Sequence, residues 1–292
     1  MPMQPSPTHI VHHGAVEICT QTFGEPLNPC LLLIMGATAS MLWWPDQLCR
    51  DFAAAGLFVI RYDNRDTGQS TTGPVGKPAY STDDMADDAV AVLDGYSVAQ
   101  AHLVGMSLGG MIAQLVALKA PERVRSLTAI SSSAFDEAGD DLPPISSAFT
   151  KHFAGLDGLD WTDRDAVVAF QVESARLSAN ADERFDRTAA AALAEREFDR
   201  ARDPRNAMNH AQLTGGESWA GHLADICVPA LVIHGAEDPI LSLKAGQRLA
   251  EGLHDARLLV LDGGHELNRA DWPSIVSAIK GLAVGPASRL PL

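Results

Sequence analysis

The chain has 292 residues, of which 46% are hydrophobic and 20% charged, and its formal net charge is −15 at pH 7. This length accommodates one large α/β domain with an insertion, and the composition is typical of a globular protein. Because so acidic a surface repels nucleic acids and anionic membranes, we expect neither as a partner.

The cysteines and the N-terminus bear on the compartment. Cys19, Cys30, Cys49 and Cys227 form no C-x-x-C pair, so neither a disulfide framework nor a zinc site is expected. Cys30 and Cys227 flank predicted core strands, which predicts buried free thiols at both. The N-terminus lacks the basic start and apolar stretch of a signal peptide, and no apolar run reaches membrane-spanning length. We therefore predict a cytoplasmic protein.

Strand and helix signals alternate along the first half of the chain. The predicted elements are a strand hairpin over 9–23, strands over 30–35 and 57–62, helices over 45–55 and 83–94, a strand and helix around residue 107, and a strand over 125–131. Such alternation predicts a mostly parallel sheet covered by helices on both faces.

Residues 105–109 read Gly-Met-Ser-Leu-Gly and lie between an apolar strand signal and an apolar helix pattern. A strand that turns sharply into a helix with serine at the apex is typical of a nucleophile elbow. The serine backbone is forced towards positive φ, and glycines two residues away on either side remove side chains that would collide. An ordinary glycine-rich loop is the alternative, but the flanking elements favour an elbow that presents Ser107 at a helix N-terminus, where N–H groups favour an anion.

The alternating pattern breaks near Phe135. Residues 136–218 contain no convincing buried strand, but they carry amphipathic helical stretches, and the pattern resumes only at Pro229. This segment is too long for a connecting loop. We predict a helical cap over 136–218, inserted between a first core part, 1–135, and a second, 219–292; an ordinary run of surface helices is the alternative.

Two strand-then-loop units follow the insertion. The apolar run 229–233 leads into His-Gly-Ala-Glu-Asp, which ends at Asp238, and the run 258–261 leads into Asp-Gly-Gly-His, which ends at His265. Asp238 before a proline is also compatible with a turn, and His265 with a solvated loop. Because Ser107, Asp238 and His265 each follow a predicted strand, a catalytic triad explains their positions better than these separate alternatives.

These segments together resemble the α/β-hydrolase superfamily, in which the chain order Ser…Asp…His is the rule. The resemblance runs from about residue 14 to about residue 283 and includes Arg-Tyr-Asp-Asn-Arg-Asp-Thr-Gly-Gln-Ser at 61–70. It implies an α/β-hydrolase fold, with a mostly parallel eight-stranded sheet flanked by helices and an inserted helical cap. Within the superfamily the chain is similar to methylesterases that act on aromatic polyketides of the aclacinomycin type, with Met-Gly at 35–36 and Trp-Pro-Asp at 44–46.

The resemblance also implies catalytic roles. Ser107 would be the nucleophile, and His265 would take its proton and later pass it to the leaving alcohol. Asp238 would fix the imidazole tautomer and stabilise the imidazolium, with Glu237 as a weaker rival. The oxyanion hole would consist of the backbone N–H groups of Leu108 and Ala37.

Several apolar residues lie near the predicted elbow and the loop after the third strand. They either line a substrate pocket or belong to the core: Met35, Gly36, Trp43, Trp44 and Met106. The absence of a side chain at Gly36 would let its loop approach the site closely. For the two tryptophans, a pocket wall and a staple holding the next helix are equally compatible with the sequence.

The sequence thus predicts a serine hydrolase that cleaves a small, apolar carboxylic ester through an acyl-enzyme, with no metal and no cofactor. A methyl ester of an aromatic polyketide is one narrow form of this hypothesis. Lactonase, C–C bond hydrolase, amidase or iminopeptidase and cofactor-free perhydrolase activities stay open, as does a non-enzymatic binding or receptor protein. Epoxide hydrolases and haloalkane dehalogenases use Asp as nucleophile, so Ser107 argues against both. The oligomeric state stays open.

Overall fold

One twisted sheet organises the molecule. The computed structural model describes residues 4–136, 142–180 and 182–284. The strands are β1 (His9–His13), β2 (Val16–Phe23), β3 (Cys30–Ile34), β4 (Phe58–Tyr62), β5 (Ala101–Met106), β6 (Val124–Ile130), β7 (Ala230–Gly235) and β8 (Ala256–Leu261). They pair in the order β1-β2-β4-β3-β5-β6-β7-β8. β2 runs antiparallel to both neighbours, whereas β3 to β8 are parallel. The predicted fold class is confirmed.

Five helices flank the sheet, and the first three lie where the sequence predicts them, within a few residues. They are α1 (Asp46–Ala54), α2 (Thr82–Gly95), α3 (Leu108–Lys119), α7 (Leu243–Gly252) and α8 (Trp272–Val284). The start of α2 illustrates why: the side chain of Ser81 accepts from the Asp84 N–H while the Asp84 carboxylate accepts from the Ser81 N–H, which forms a capping box.

The sheet is buried on both faces, and β3 shows how its sequence serves both. Leu32 and Ile34 point into one apolar cluster, which includes side chains of α2, α3 and α7. Leu31 and Leu33 point into a second cluster, which includes side chains of α1 and α8. Because side chains alternate along a strand, a continuously apolar strand such as this one fills both layers.

The described residues between β6 and β7 contain helices and no strand. The main helices are α4 (Ser147–Phe153), α5 (Arg164–Ala179) and α6 (Arg187–Arg200), and a 3₁₀ segment, Pro204–Gln212, follows them. Asp163 caps the start of α5 and Asp186 caps the start of α6. Among the described residues, no helix has the length and apolar character needed to cross a membrane.

The cysteine prediction was right for Cys30 and wrong for Cys227. Cys30 begins β3 in the core, whereas Cys227 is exposed in the turn that precedes β7. Its neighbour Ile226 is the residue that enters the core there. Burial raises the pKa of the Cys30 and Cys49 thiols to about 12, which makes both poor nucleophiles at neutral pH.

Candidate active site

The structure forms a tight turn at Ser107, and this turn requires glycine on either side of it. Ser107 adopts φ 52° and ψ −121° between β5 and α3, a conformation that is costly for a residue with a side chain. A Cβ on Gly105 would collide with the Gly109 carbonyl, and one on Gly109 would collide with the Ile34 carbonyl. Only glycine at both positions lets α3 fold back this tightly against β3 and β5.

Backbone and side-chain bonds hold the strained serine in place. The Ser107 N–H donates to the Ile130 carbonyl (2.8 Å) on β6. The buried Ser132 hydroxyl donates to the Ser107 carbonyl (2.8 Å). Sequence reasoning missed Ser132, because nothing in its neighbourhood marks which of three consecutive serines faces the elbow.

The acid and the histidine meet. Asp238 Oδ2 lies 2.7 Å from His265 Nδ1, and both residues are buried. Asp238 Oδ1 accepts from the N–H groups of Ile240 and Leu241, each at 2.9 Å, so the carboxylate is held at both oxygens. The rival acid Glu237 is exposed. The structure therefore brings Asp238, and not Glu237, to the imidazole.

The loop that carries His265 rests on the insertion. The His265 N–H donates to the Ser178 carbonyl (2.8 Å) in the last turn of α5. Gly264 lies so close to the same turn that a Cβ there would collide with the Ser178 carbonyl. Among the described residues no hydrogen bond joins the Ser107 hydroxyl to His265; such contacts are often long without substrate and tighten when it binds.

The loop after β3 approaches the elbow at Gly36. A Cβ added there would lie 3.2 Å from the Ser107 Cβ and 3.1 Å from the Met106 carbonyl oxygen. Ala37 is exposed, and Leu108 is the first residue of α3. Within the described part of the chain, the Ala37 N–H in this loop donates no backbone hydrogen bond, and the Leu108 N–H donates none outside α3. Both N–H groups therefore stay candidates for the oxyanion hole.

The same loop is tied to neighbouring segments along its length. Asn64 Nδ2 donates to the Met35 carbonyl (2.9 Å) before Gly36. Beyond it, the Ser40 hydroxyl donates to Glu197 Oε2 (2.6 Å) and the Ser40 N–H to Glu197 Oε1 (3.1 Å). Glu197 belongs to α6 of the insertion, and burial raises the pKa of its carboxyl group to about 7.

The stretch at 61–70 is structural support for this loop. The buried Asp63 carboxylate accepts from the Met41 N–H (3.0 Å) and pairs with Arg200 of α6 (2.6 Å). Gly68 adopts φ 51°, and a Cβ there would collide with both Asp63 and Arg200. The Ser70 hydroxyl donates to the Asp63 carbonyl (2.7 Å). The motif therefore connects the loop after β3, the loop after β4 and the insertion.

The predicted pocket residues divide into two groups. Met35, Trp44 and Met106 are buried in the second apolar cluster, together with Leu48 of α1. This position favours the packing alternative for Trp44, since its indole is fully enclosed. Trp43 is only partly buried against the same cluster, so a role in the pocket stays a prediction for it.

Sequence reasoning missed the polar residues that the insertion supplies to this region: Glu197, Arg200 and His210. The spacing of Glu197 and Arg200 places them on one side of α6, but nothing local distinguishes this pair from the many surface charges of the helix.

Among the described residues, no group of three or more His, Cys, Asp or Glu side chains is placed to hold a metal ion.

We expect Gly36→Ala to lower kcat by about tenfold, because the new methyl group would have to displace the loop by a few tenths of an ångström from Ser107. Steady-state kinetics on a chromogenic ester measures the effect. Gly281→Ala on α8 is the matched control, since a Cβ at that position meets nothing within 4 Å. Equal activity of the two variants would contradict the tight approach at Gly36.

Comparison with known proteins places the chain in a family. A sequence profile of the alpha/beta hydrolase fold matches residues 29–268. Rhodomycin D methylesterase DnrP of Streptomyces peucetius is 34% identical over 294 aligned residues, which cover 94% of this chain and 97% of that protein. The 3-oxoadipate enol-lactonase 2 of Acinetobacter baylyi is 28% identical and covers 85% of each chain. The chain belongs to the α/β-hydrolase family.

Solved structures agree on the fold. A putative aryl esterase from Burkholderia cenocepacia superimposes with a TM-score of 0.77 at 19% identity, covering 97% of this chain and all of that one (100%). A 2-hydroxy-6-oxo-6-phenylhexa-2,4-dienoate hydrolase from Rhodococcus sp. strain RHA1 gives a TM-score of 0.75 at 21% identity, covering 95% of this chain and 99% of that one. At such identities the likeness extends to architecture alone.

Proposed function

We propose that this protein hydrolyses the methyl ester of a polycyclic aromatic compound through an acyl-enzyme on Ser107. The observation that carries the proposal is the 34% identity, along nearly the whole of both chains, to rhodomycin D methylesterase. The contact between Asp238 and His265 and the elbow at Ser107 supply the chemistry that such a reaction needs.

In the acylation step, the Ser107 oxygen attacks the ester carbonyl carbon as His265 removes the hydroxyl proton. Asp238 holds the imidazole so that Nδ1 carries a proton and Nε2 is free to accept one. When the tetrahedral intermediate collapses, His265 protonates the departing alkoxide, and methanol leaves. Water then attacks the acyl-enzyme with His265 as base, which releases the acid and restores Ser107.

The N–H groups of Ala37 and Leu108 would stabilise the negative charge that develops on the carbonyl oxygen. In the described part of the chain, the Ala37 N–H donates no backbone hydrogen bond, and the Leu108 N–H donates none outside α3. The N-terminus of α3 adds a favourable dipole at the same place. Because these groups and the triad supply every step, the proposed reaction uses no metal and no cofactor.

Residues 136–218 are proposed as the cap of this site, flanked by core parts 1–135 and 219–292. The proposal is supported by the helices that the segment contributes and by its contacts with the loops of Ser40 and His265. A cap so placed would exclude water and shape an apolar pocket for a small-molecule ester. We also propose a cytoplasmic location, and we expect neither nucleic acid nor membrane as a partner.

A lactone is the second candidate substrate, because an enol-lactonase is 28% identical to the chain over 85% of its length. A lactone is an internal ester, so the same nucleophile and oxyanion donors would open it. The difference lies in the leaving alcohol, which stays attached to the acyl group instead of diffusing away as methanol.

Matched substrates test the proposal. The purified protein is given the methyl ester, the N-methyl amide and a fused lactone of one polycyclic aromatic acid, and methanol release, amine release and ring opening are measured. We expect methanol release to be fastest, and a rapid acid quench followed by peptide mass spectrometry to find the acyl group on Ser107. Faster opening of the lactone would favour the second candidate, and an unmodified Ser107 during turnover would contradict the acyl-enzyme.

A further inference from the structure

A histidine of the insertion contacts the loop that carries the proposed oxyanion donor. His210 lies in the 3₁₀ segment Pro204–Gln212 and is almost fully buried. Its Nδ1 accepts from the Thr38 N–H (3.1 Å), and its Nε2 lies 2.8 Å from the Arg65 carbonyl oxygen. Both ring nitrogens are therefore engaged with backbone groups of two different loops.

These two partners define the state of the ring. The Thr38 N–H is a donor, so Nδ1 must carry a lone pair, and the Arg65 carbonyl is an acceptor, so Nε2 must carry the proton. His210 is thus a neutral imidazole with one tautomer. Burial also lowers its pKa below the ordinary value, which is consistent with a ring that stays uncharged at neutral pH.

Thr38 is the residue immediately after Ala37, and its backbone is strained. It adopts φ 65°, a region that residues with a branched side chain rarely occupy. Such a conformation persists only where the surroundings hold it. On the other side of Ala37, the bond from Asn64 to the Met35 carbonyl fixes the chain as it leaves β3. These two bonds hold the peptide groups on either side of the Gly36–Ala37 peptide, and they thereby restrict the direction of the Ala37 N–H.

We propose that His210 is a positioning residue for the oxyanion hole: by accepting the Thr38 N–H, it holds the loop so that the Ala37 N–H points at the carbonyl oxygen of the substrate. The inference rests on the proposed function, because it assumes that Ala37 donates to an oxyanion formed on Ser107. It assigns the insertion a part in transition-state stabilisation, in addition to covering the site.

The segment around His210 has anchors of its own. Asn209 Nδ2 donates to Asp66 Oδ2 (2.7 Å), and Asn206 Nδ2 donates to the Gly73 carbonyl (2.5 Å). Both asparagines are buried. A change at position 210 therefore leaves other bonds that dock the segment on the core.

Substitution of His210 by Asn or by Gln tests its two hydrogen bonds, to Thr38 and to Arg65, one at a time. Asn places its carboxamide oxygen near the position of Nδ1, so His210→Asn keeps an acceptor for the Thr38 N–H and loses the donor to Arg65. Gln places its amide nitrogen near the position of Nε2, so His210→Gln keeps the donor to Arg65 and leaves the Thr38 N–H without an acceptor. The two variants remove one bond each and introduce the same functional group.

We expect kcat of His210→Asn to stay within about threefold of wild type, and kcat of His210→Gln to fall by about 10- to 100-fold with KM within about threefold. Turnover is expressed per site titrated to completion with a fluorophosphonate, so that misfolded molecules do not count. A trifluoromethyl ketone, which forms a tetrahedral oxyanion with a serine, should lose affinity for His210→Gln by a similar factor.

Equal losses in the two variants, a wild-type kcat in His210→Gln, or a loss confined to KM would overturn the inference. Ser107→Ala is assayed in parallel. If Ser107→Ala is inactive while the His210 variants behave alike, the inference fails and the proposed function stands. If Ser107→Ala keeps its turnover, the proposed function fails, and the inference fails with it.

Discussion

Replacing Ser107 by alanine should lower kcat for ester hydrolysis by about a millionfold, because removal of a serine nucleophile leaves only the catalysis that binding and the oxyanion donors provide. The variant should fold normally. Alanine has the same Cβ as serine, so the strain at φ 52° is unchanged, and the hydrogen bonds of this residue to Ile130 and Ser132 use backbone atoms only.

Ser97→Ala is the matched control for this substitution. Ser97 is an exposed serine that also adopts positive φ, at 55°, and it lies before β5, whereas Ser107 follows the same strand. Steady-state rates, near-UV circular dichroism and stoichiometric fluorophosphonate labelling are compared for the two variants. Turnover of about a tenth of wild type or more in folded Ser107→Ala would show that another group is the nucleophile.

The sheet and the elbow were predictable because their determinants are local. A continuously apolar strand such as β3 marks itself as buried on both faces, whatever lies around it. The elbow depends on Gly105 and Gly109, because a Cβ at these positions would collide with the Gly109 and Ile34 carbonyls, respectively. Residues that follow parallel strands gather at one edge of the sheet, so Ser107, Asp238 and His265 were candidates from their positions alone.

The choice between adjacent residues needed the fold. Glu237 and Asp238 are consecutive carboxylates after β7, and only the turn geometry exposes the first and directs the second to His265. Trp43 and Trp44 differ in the same way: one is partly exposed and the other fully enclosed. A pattern of residue types cannot tell in which direction a loop residue points.

The contacts of the insertion were beyond sequence reasoning because they join distant segments. Ser40 and Glu197 are separated by 157 positions, and Thr38 and His210 by 172. In a helix with many charged residues, nothing local marks Glu197 as the one that becomes buried. Such polar groups are tolerated in the interior only because their partners satisfy them, and those partners are fixed by tertiary structure.

Asp238→Asn should lower kcat by about ten thousandfold while leaving the protein folded. Asn can keep its carbonyl oxygen towards the N–H groups of Ile240 and Leu241, and its NH₂ group then faces His265 Nδ1. Because that NH₂ group is a donor, Nδ1 must become the acceptor and the ring proton moves to Nε2. The nitrogen that should take the Ser107 proton is then already protonated.

Glu237→Gln makes the same chemical change one residue earlier, on an exposed side chain, and should leave kcat close to wild type. Comparison of the two variants distinguishes the effect of losing a negative charge in this loop from the effect of losing the hydrogen-bond acceptor for His265 Nδ1. A charge effect alone would weaken both variants similarly. A larger loss in Glu237→Gln than in Asp238→Asn would assign the acid role to Glu237, against the 2.7 Å contact between Asp238 and His265.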